Sequence, residues 1–110
     1  MILAGDIGGT KTALGIYSYE KGMRFPLFLK TFPSANYANL EAIVSEFCAP
    51  FEFEIEKAAF GVAGPVSGGK AKITNLPWII DKDHLAKALN TSSVALLNDL
   101  EAIAWSVPSL

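Results

Sequence analysis

Residues 1–18 read MILAGDIGGTKTALGIYS. An apolar lead runs into GDIGGTKT, and an alternating stretch follows. Ile2–Gly5 is expected to be a short strand. Lys11–Ser18 sets Ala13 and Gly15 on one face and Leu14 and Ile16 on the other, as the partner strand of a hairpin does. Between them lie an aspartate, glycines and threonines. Glycines let another group approach the backbone closely, and successive N–H groups in such a turn make an anion-binding concavity. Thr10 and Thr12 add hydroxyls and Lys11 adds a positive charge. Asp6 would repel a bare phosphate, but it suits Mg²⁺ held through water between carboxylate and phosphate. A glycine-rich hairpin whose Asp6 and Thr10 bond their own backbone accounts for the same residues.

Working outward, FPLFLKTF at Phe25–Phe32 is expected to be a third strand after a turn at Lys21–Gly22. Pro26 points to a sheet edge or a strand start there. The period then changes. Leu40, Ile43, Val44 and Phe47 form one helical stripe, with Asn39 as N-cap and Pro50 as stop. FEFEIE reads as an exposed edge or loop. AAFGVA at Ala58–Ala63 has the composition of a buried strand, and a glycine-bearing hairpin is expected around Val66–Ile73. Asp81 should cap a helix running through Asn90, with Leu85, Ala88 and Leu89 inward. Val94–Leu97 reads as a further buried strand and Leu100–Ser106 as a final helix. Three strands followed by alternating units indicate an α/β domain, a mixed sheet with helices packed on it.

Two other patterns bear on chemistry. GPVSGGKA at Gly64–Ala71 fits G-x-x-x-x-G-K, but Ala71 stands where Ser or Thr must hold Mg²⁺, and the following KAKITNL is strand-like rather than helical. It reads as a hairpin turn. In VALLNDLEAI, Asn98 and Asp99 stand where a buried strand gives way to a helix, the end of an α/β sheet at which ligands gather. An aspartate there can accept a proton from a substrate hydroxyl, and an asparagine can bind neighbouring hydroxyls. Both residue types also favour a helix N-cap. His84 has no second ligand nearby for a metal. Trp78 and Trp105 suit core positions, although Trp78 follows a loop and could stack on a sugar.

Bulk properties narrow the class. The 110 residues carry 9 Lys and Arg against 11 Asp and Glu, a net charge of −2, without the basic footprint of a nucleic-acid binder. Cys48 is the single cysteine, so an internal disulfide is excluded; its apolar helical setting suits an inert buried thiol. No targeting signal and no membrane-length apolar run occurs, so the expected location is the cytoplasm. A mean hydropathy of +0.33 is high for so small a unit. Self-association, or a role as one lobe of something larger, would account for it.

Taken together, GDIGGTKT, FGVAGPVSGGKAKITNLPW and LLNDLEAIA resemble the amino-terminal lobe of bacterial glucokinases across nearly the whole chain. These are sugar kinases of the actin, hexokinase and heat-shock-protein ATPase superfamily, with a ribonuclease-H-like fold. The resemblance implies that residues 1–110 are the small lobe of a two-lobe kinase that uses ATP and Mg²⁺ to phosphorylate glucose at its 6-hydroxyl, the first step of glycolysis. Gly5, Asp6, Ile7, Gly8, Gly9 and Thr10, followed by Lys11, match the family's first phosphate loop. Asp6 matches its Mg²⁺-associated aspartate, Asn98 a sugar ligand and Asp99 the catalytic base. The second phosphate loop, the adenosine site and the remaining sugar ligands belong to a carboxy-terminal lobe not present in these residues, so the chain alone is expected to be inactive. The alternative is a non-catalytic sugar- or nucleotide-binding module, or a sugar-sensing regulator, of the same fold. No nucleic-acid or membrane partner is expected, and a homo-oligomer is.

Overall fold

The computed structural model describes residues 1–18, 27–51, 54–73 and 76–98. The turn expected at Lys21–Gly22, the start of the third strand at Phe25 and Pro26, residues 52–53 of FEFEIE, residues 74–75, Asp99 and the final helix with Trp105 lie outside them. Three strands open the fold: β1 (Ile2–Ile7), β2 (Lys11–Tyr17) and β3 (Phe28–Pro33). A 3₁₀ turn over Ser34–Asn36 leads to α1 (Leu40–Cys48) and then to β4 (Lys57–Val62). After β5 (Val66–Ser67), β6 (Lys70–Lys72) and β7 (Ile79–Asp81) come α2 (Lys82–Leu89) and β8 (Val94–Asn98).

The main sheet has the order β3-β2-β1-β4-β8, with β1–β2 and β2–β3 antiparallel and β1–β4 and β4–β8 parallel. This is the mixed sheet expected, and β3 is an edge. β1 runs two residues further than its apolar lead, because Asp6 and Ile7 are paired on both sides, to Ala13 and Thr12 on β2 and to Gly61 and Val62 on β4.

Strand alternation assigns the faces. Leu3 and Ile7 of β1, Leu14 and Ile16 of β2, Phe32 of β3 and Phe60 and Val62 of β4 are fully buried. Against them α1 lays the stripe read from its periodicity, since Leu40, Ile43, Val44 and Phe47 all belong to the same core. The Asn39 side chain accepts from the Ala42 amide at 2.9 Å, the N-cap bond that starts the helix. The opposite face of β1 carries Ala4 and Asp6, and Asp6 is exposed.

A second, three-stranded sheet, β5-β6-β7, is built on the expected hairpin. Its turn places Gly68 and Gly69 at φ of 60° and 75°. Two consecutive left-handed residues are what a two-residue hairpin of this hand demands, and glycine accepts them without strain. Lys70 therefore begins a strand, which removes the P-loop match. β7 was not expected, since three residues are too few to show a period. Asp81 caps α2 by accepting from the Asp83 amide at 2.8 Å, and Asn90 ends the helix at φ 55°. One inward assignment is corrected. Leu85 is buried and Leu89 packs against the core, but Ala88 is exposed. α2 packs beside β8 and α1, and Leu85 is its one fully buried position among the described residues, so its inward stripe is narrower than the spacing suggested.

Candidate functional site at the carboxyl end of the parallel strands

The glycine stretch forms the connection between β1 and β2. The Gly8 amide donates to the Lys11 carbonyl at 2.9 Å, leaving Gly9 and Thr10 at the tip. Among the described residues, the amides of Gly9 and Thr10 donate to no backbone carbonyl. Thr10 and Lys11 are exposed. Two adjacent turn amides beside a lysine are a suitable anion cradle. Its glycines do not serve left-handed geometry: among the described residues, positive φ falls at Gly68, Gly69 and Asn90. What Gly8 supplies is closeness, because a Cβ there would lie 3.0 Å from the Lys11 carbonyl oxygen. Gly5 lies inside β1, where Phe60 and Leu14 fill the space beside it.

Thr12 does not join the cradle, which corrects its counting among the loop hydroxyls. Its side chain is fully buried on the core face, with its hydroxyl 2.8 Å from the hydroxyl of Ser34, itself fully buried. Ser34 in turn donates from Oγ to the Gly8 carbonyl at 2.8 Å, and its amide donates to the Thr10 carbonyl at 3.0 Å. Reading the sequence missed Ser34. PSAN looks like ordinary turn chemistry, and nothing local shows that its serine reaches back to a loop 26 positions earlier.

Asn98 closes the site from the other side. Ile7 pairs with Val62, and Val62 pairs with Asn98, so three parallel strands end in one row. Two strand spacings separate Ile7 from Asn98, about 10 Å. The turn after Ile7 and the exposed Asn98 thus share the carboxyl end of the sheet. Asp99 lies outside the described residues, and its place is known only as the position following Asn98. A phosphate chain on the turn and a hydroxyl-bearing ligand at Asn98 would fit one such edge.

No group of three or more His, Cys, Asp or Glu side chains suited to a metal occurs among the described residues. Asp6 is an exposed carboxylate near the end of β1, and an oxygen donor of this kind fits Mg²⁺ when waters and phosphate oxygens supply further ligands. His84 is exposed. Trp78 is buried and donates from Nε1 to the Tyr37 carbonyl at 3.1 Å, so it is a core residue. Cys48 is half-buried, and burial pushes its thiol pKa up, as an unreactive cysteine requires. No helix among the described residues is long and apolar enough to cross a membrane.

A family model described as Glucokinase matches residues 3–110. Among curated proteins, the glucokinase of Nostoc punctiforme is 36% identical over 113 residues, covering 100% of this chain and 33% of its own length. A crystal structure of glucokinase from an Antarctic psychrotroph superposes on 99% of this chain and 35% of its own, with a TM-score of 0.84 and 27% identity. A ROK family glucokinase from Streptomyces griseus, solved in complex with glucose and AMPPNP, superposes on 94% of this chain and 35% of its own, with a TM-score of 0.66 and 27% identity. The chain spans about a third of the length of the curated relatives it matches.

Proposed function

Since this chain belongs to the glucokinase family, we propose that it supplies the amino-terminal lobe of an ATP-dependent kinase that converts glucose to glucose 6-phosphate. The observation that carries this reading is the row Ile7–Val62–Asn98, which brings the glycine turn after Ile7 and the side chain of Asn98 to one end of the sheet. In the reading, the segment Gly5, Asp6, Ile7, Gly8, Gly9, Thr10 and Lys11 receives the ATP phosphates, chiefly through the turn amides and the lysine. Asp6 would hold Mg²⁺ through water, and the ion when bound neutralises charge on the phosphate oxygens.

Asn98 would hold glucose by its hydroxyls. Asp99 would take the proton of the 6-hydroxyl while that oxygen bonds to the γ-phosphorus and the bond to the ADP oxygen breaks. Phosphoryl transfer needs little beyond this positioning and charge neutralisation. The partner within the same enzyme is the carboxy-terminal lobe, and without it neither reactant is held in near-attack geometry. Residues 1–110 alone are therefore expected not to turn over glucose.

A cytoplasmic location and self-association belong to the same reading. For the latter, the edge strand β3 carries exposed Phe28 and Leu29, and an uncovered apolar edge favours pairing. Sedimentation of the full-length enzyme as a monomer at high micromolar concentration would oppose it. The direct test of function is a coupled assay for glucose 6-phosphate with the full-length enzyme, glucose and MgATP, alongside titration with glucose and AMPPNP. Turnover supports the kinase. Binding without turnover would favour the non-catalytic module instead.

A further inference from the structure

We propose that Ser34 is a positioning residue for the nucleotide: it holds the glycine turn in the shape that presents its amides to phosphate. The inference rests on the phosphate role proposed above for Gly8–Lys11 and adds a residue to it that lies outside the loop. Ser34 has one hydroxyl proton, and that proton goes to the Gly8 carbonyl at 2.8 Å. The equally short contact to Thr12 must then be donated by Thr12. The direction of the chain is settled: Thr12 hydroxyl to Ser34 hydroxyl to Gly8 carbonyl. Ser34 also donates its amide to the Thr10 carbonyl at 3.0 Å. One fully buried residue therefore grips the carbonyls on both sides of Gly9.

The consequence follows from peptide geometry. In a trans peptide, C=O and N–H point in opposite directions, and no cis peptide occurs among the described residues. Turning the Gly8 carbonyl inward to Ser34, on the side of the buried Thr12, turns the Gly9 N–H outward. Asp6 lies on that outward side, since it alternates with the core-facing Ile7. The amide and the proposed Mg²⁺-associated carboxylate thus address the same space. A glycine-flanked peptide has little of its own to resist rotation. Without Ser34 the Gly8–Gly9 peptide is free to flip, and the cradle loses a donor for part of the time.

The test is made in the full-length enzyme, with Kd for AMPPNP in the presence of Mg²⁺ and Kd for glucose measured separately by calorimetry. Ser34→Ala is expected to weaken AMPPNP about tenfold, the scale of one lost hydrogen bond to a charged group, and to leave glucose within about twofold. Ser34→Cys, of similar size with a weaker donor, should weaken AMPPNP in the same direction by less, and it carries the test if the alanine variant does not fold. Ile43→Val in α1 trims the core away from the turn and controls for general loss of stability; it should move neither Kd. Serine variants that bind AMPPNP as wild type does, or an Ile43 variant that weakens it equally, would overturn the positioning role. A wild-type enzyme that binds no AMPPNP would instead overturn the nucleotide reading on which the role rests.

Discussion

Gly5 and Phe60 are paired in register across β1 and β4, and the Phe60 ring occupies the space that a side chain on Gly5 would need. A Cβ at Gly5 would lie 2.7 Å from Cδ1 of Phe60 and 2.9 Å from Cδ2 of Leu14. Both neighbours are fully buried, so neither ring nor methyl has open space to move into. Gly5→Ala should therefore destabilise the fold by about 1–3 kcal/mol, against the small gain that strand propensity alone would give. Urea unfolding measures it. A variant as stable as wild type would show that the two side chains can shift.

Trp78 separates a core role from a ligand role. Trp78→Phe removes the N–H that satisfies the Tyr37 carbonyl, and leaving that acceptor unpaired costs about 1–3 kcal/mol. The melting temperature should fall while glucose affinity of the full-length enzyme stays unchanged. A large loss of glucose affinity at unchanged stability would return Trp78 to the sugar-stacking role.

Acid should selectively weaken the start of α2. The Asp81 carboxyl is held below its ordinary pKa first by the Asp83 amide, then by the His84 amide and charge and by Lys70, whose Nζ lies 3.8 Å away; desolvation opposes them. A lowered folded-state pKa means stability that is fully present above the unfolded value, about 3.9, and lost as pH falls through the folded value. Asp81→Asn keeps a capping oxygen but has no charge to lose. Wild type should melt higher than this variant at neutral pH, and the gap should narrow progressively as pH falls below the unfolded carboxyl value towards the lower folded one. A gap independent of pH would reject the charge contribution.

The role proposed for Asp99 rests on its place after Asn98 and is tested by Asp99→Asn in the full-length enzyme. Asparagine serves a helix cap nearly as well as aspartate but cannot take a proton. As general base, Asp99 should be worth about 10²–10⁴ in kcat, or roughly 3–5 kcal/mol of barrier, at unchanged thermal stability. A variant that melts like wild type and keeps more than about a tenth of kcat would sink the catalytic role.

The features legible from residues alone are those whose physics acts within a few positions. The α1 stripe from Leu40 to Phe47, the Asn39 and Asp81 caps and the Gly68–Gly69 turn were all readable, because helix period, cap bonds and left-handed φ involve neighbours in the chain. The mixed α/β class followed from element order, whereas Pro26 left a sheet edge or a strand start equally open, and pairing with β2 alone makes β3 the edge. Tertiary structure decided the rest. Whether Asp6 and Ile7 belong to the loop or to β1 depended on partners on β2 and β4. Thr12 looked like a ligand hydroxyl until the pleat turned it into the core beside Ser34. Ala88 kept a helical spacing that suited burial, yet among the described residues it is exposed. The site itself depends on register between strands: Ile7, Val62 and Asn98 form one row only because three distant segments pair without a slip, and shifting one strand by a single residue would turn its side chains to the other face. Short-range patterns are carried by the chain, whereas burial, register and the direction of a buried hydrogen bond exist only once distant segments meet.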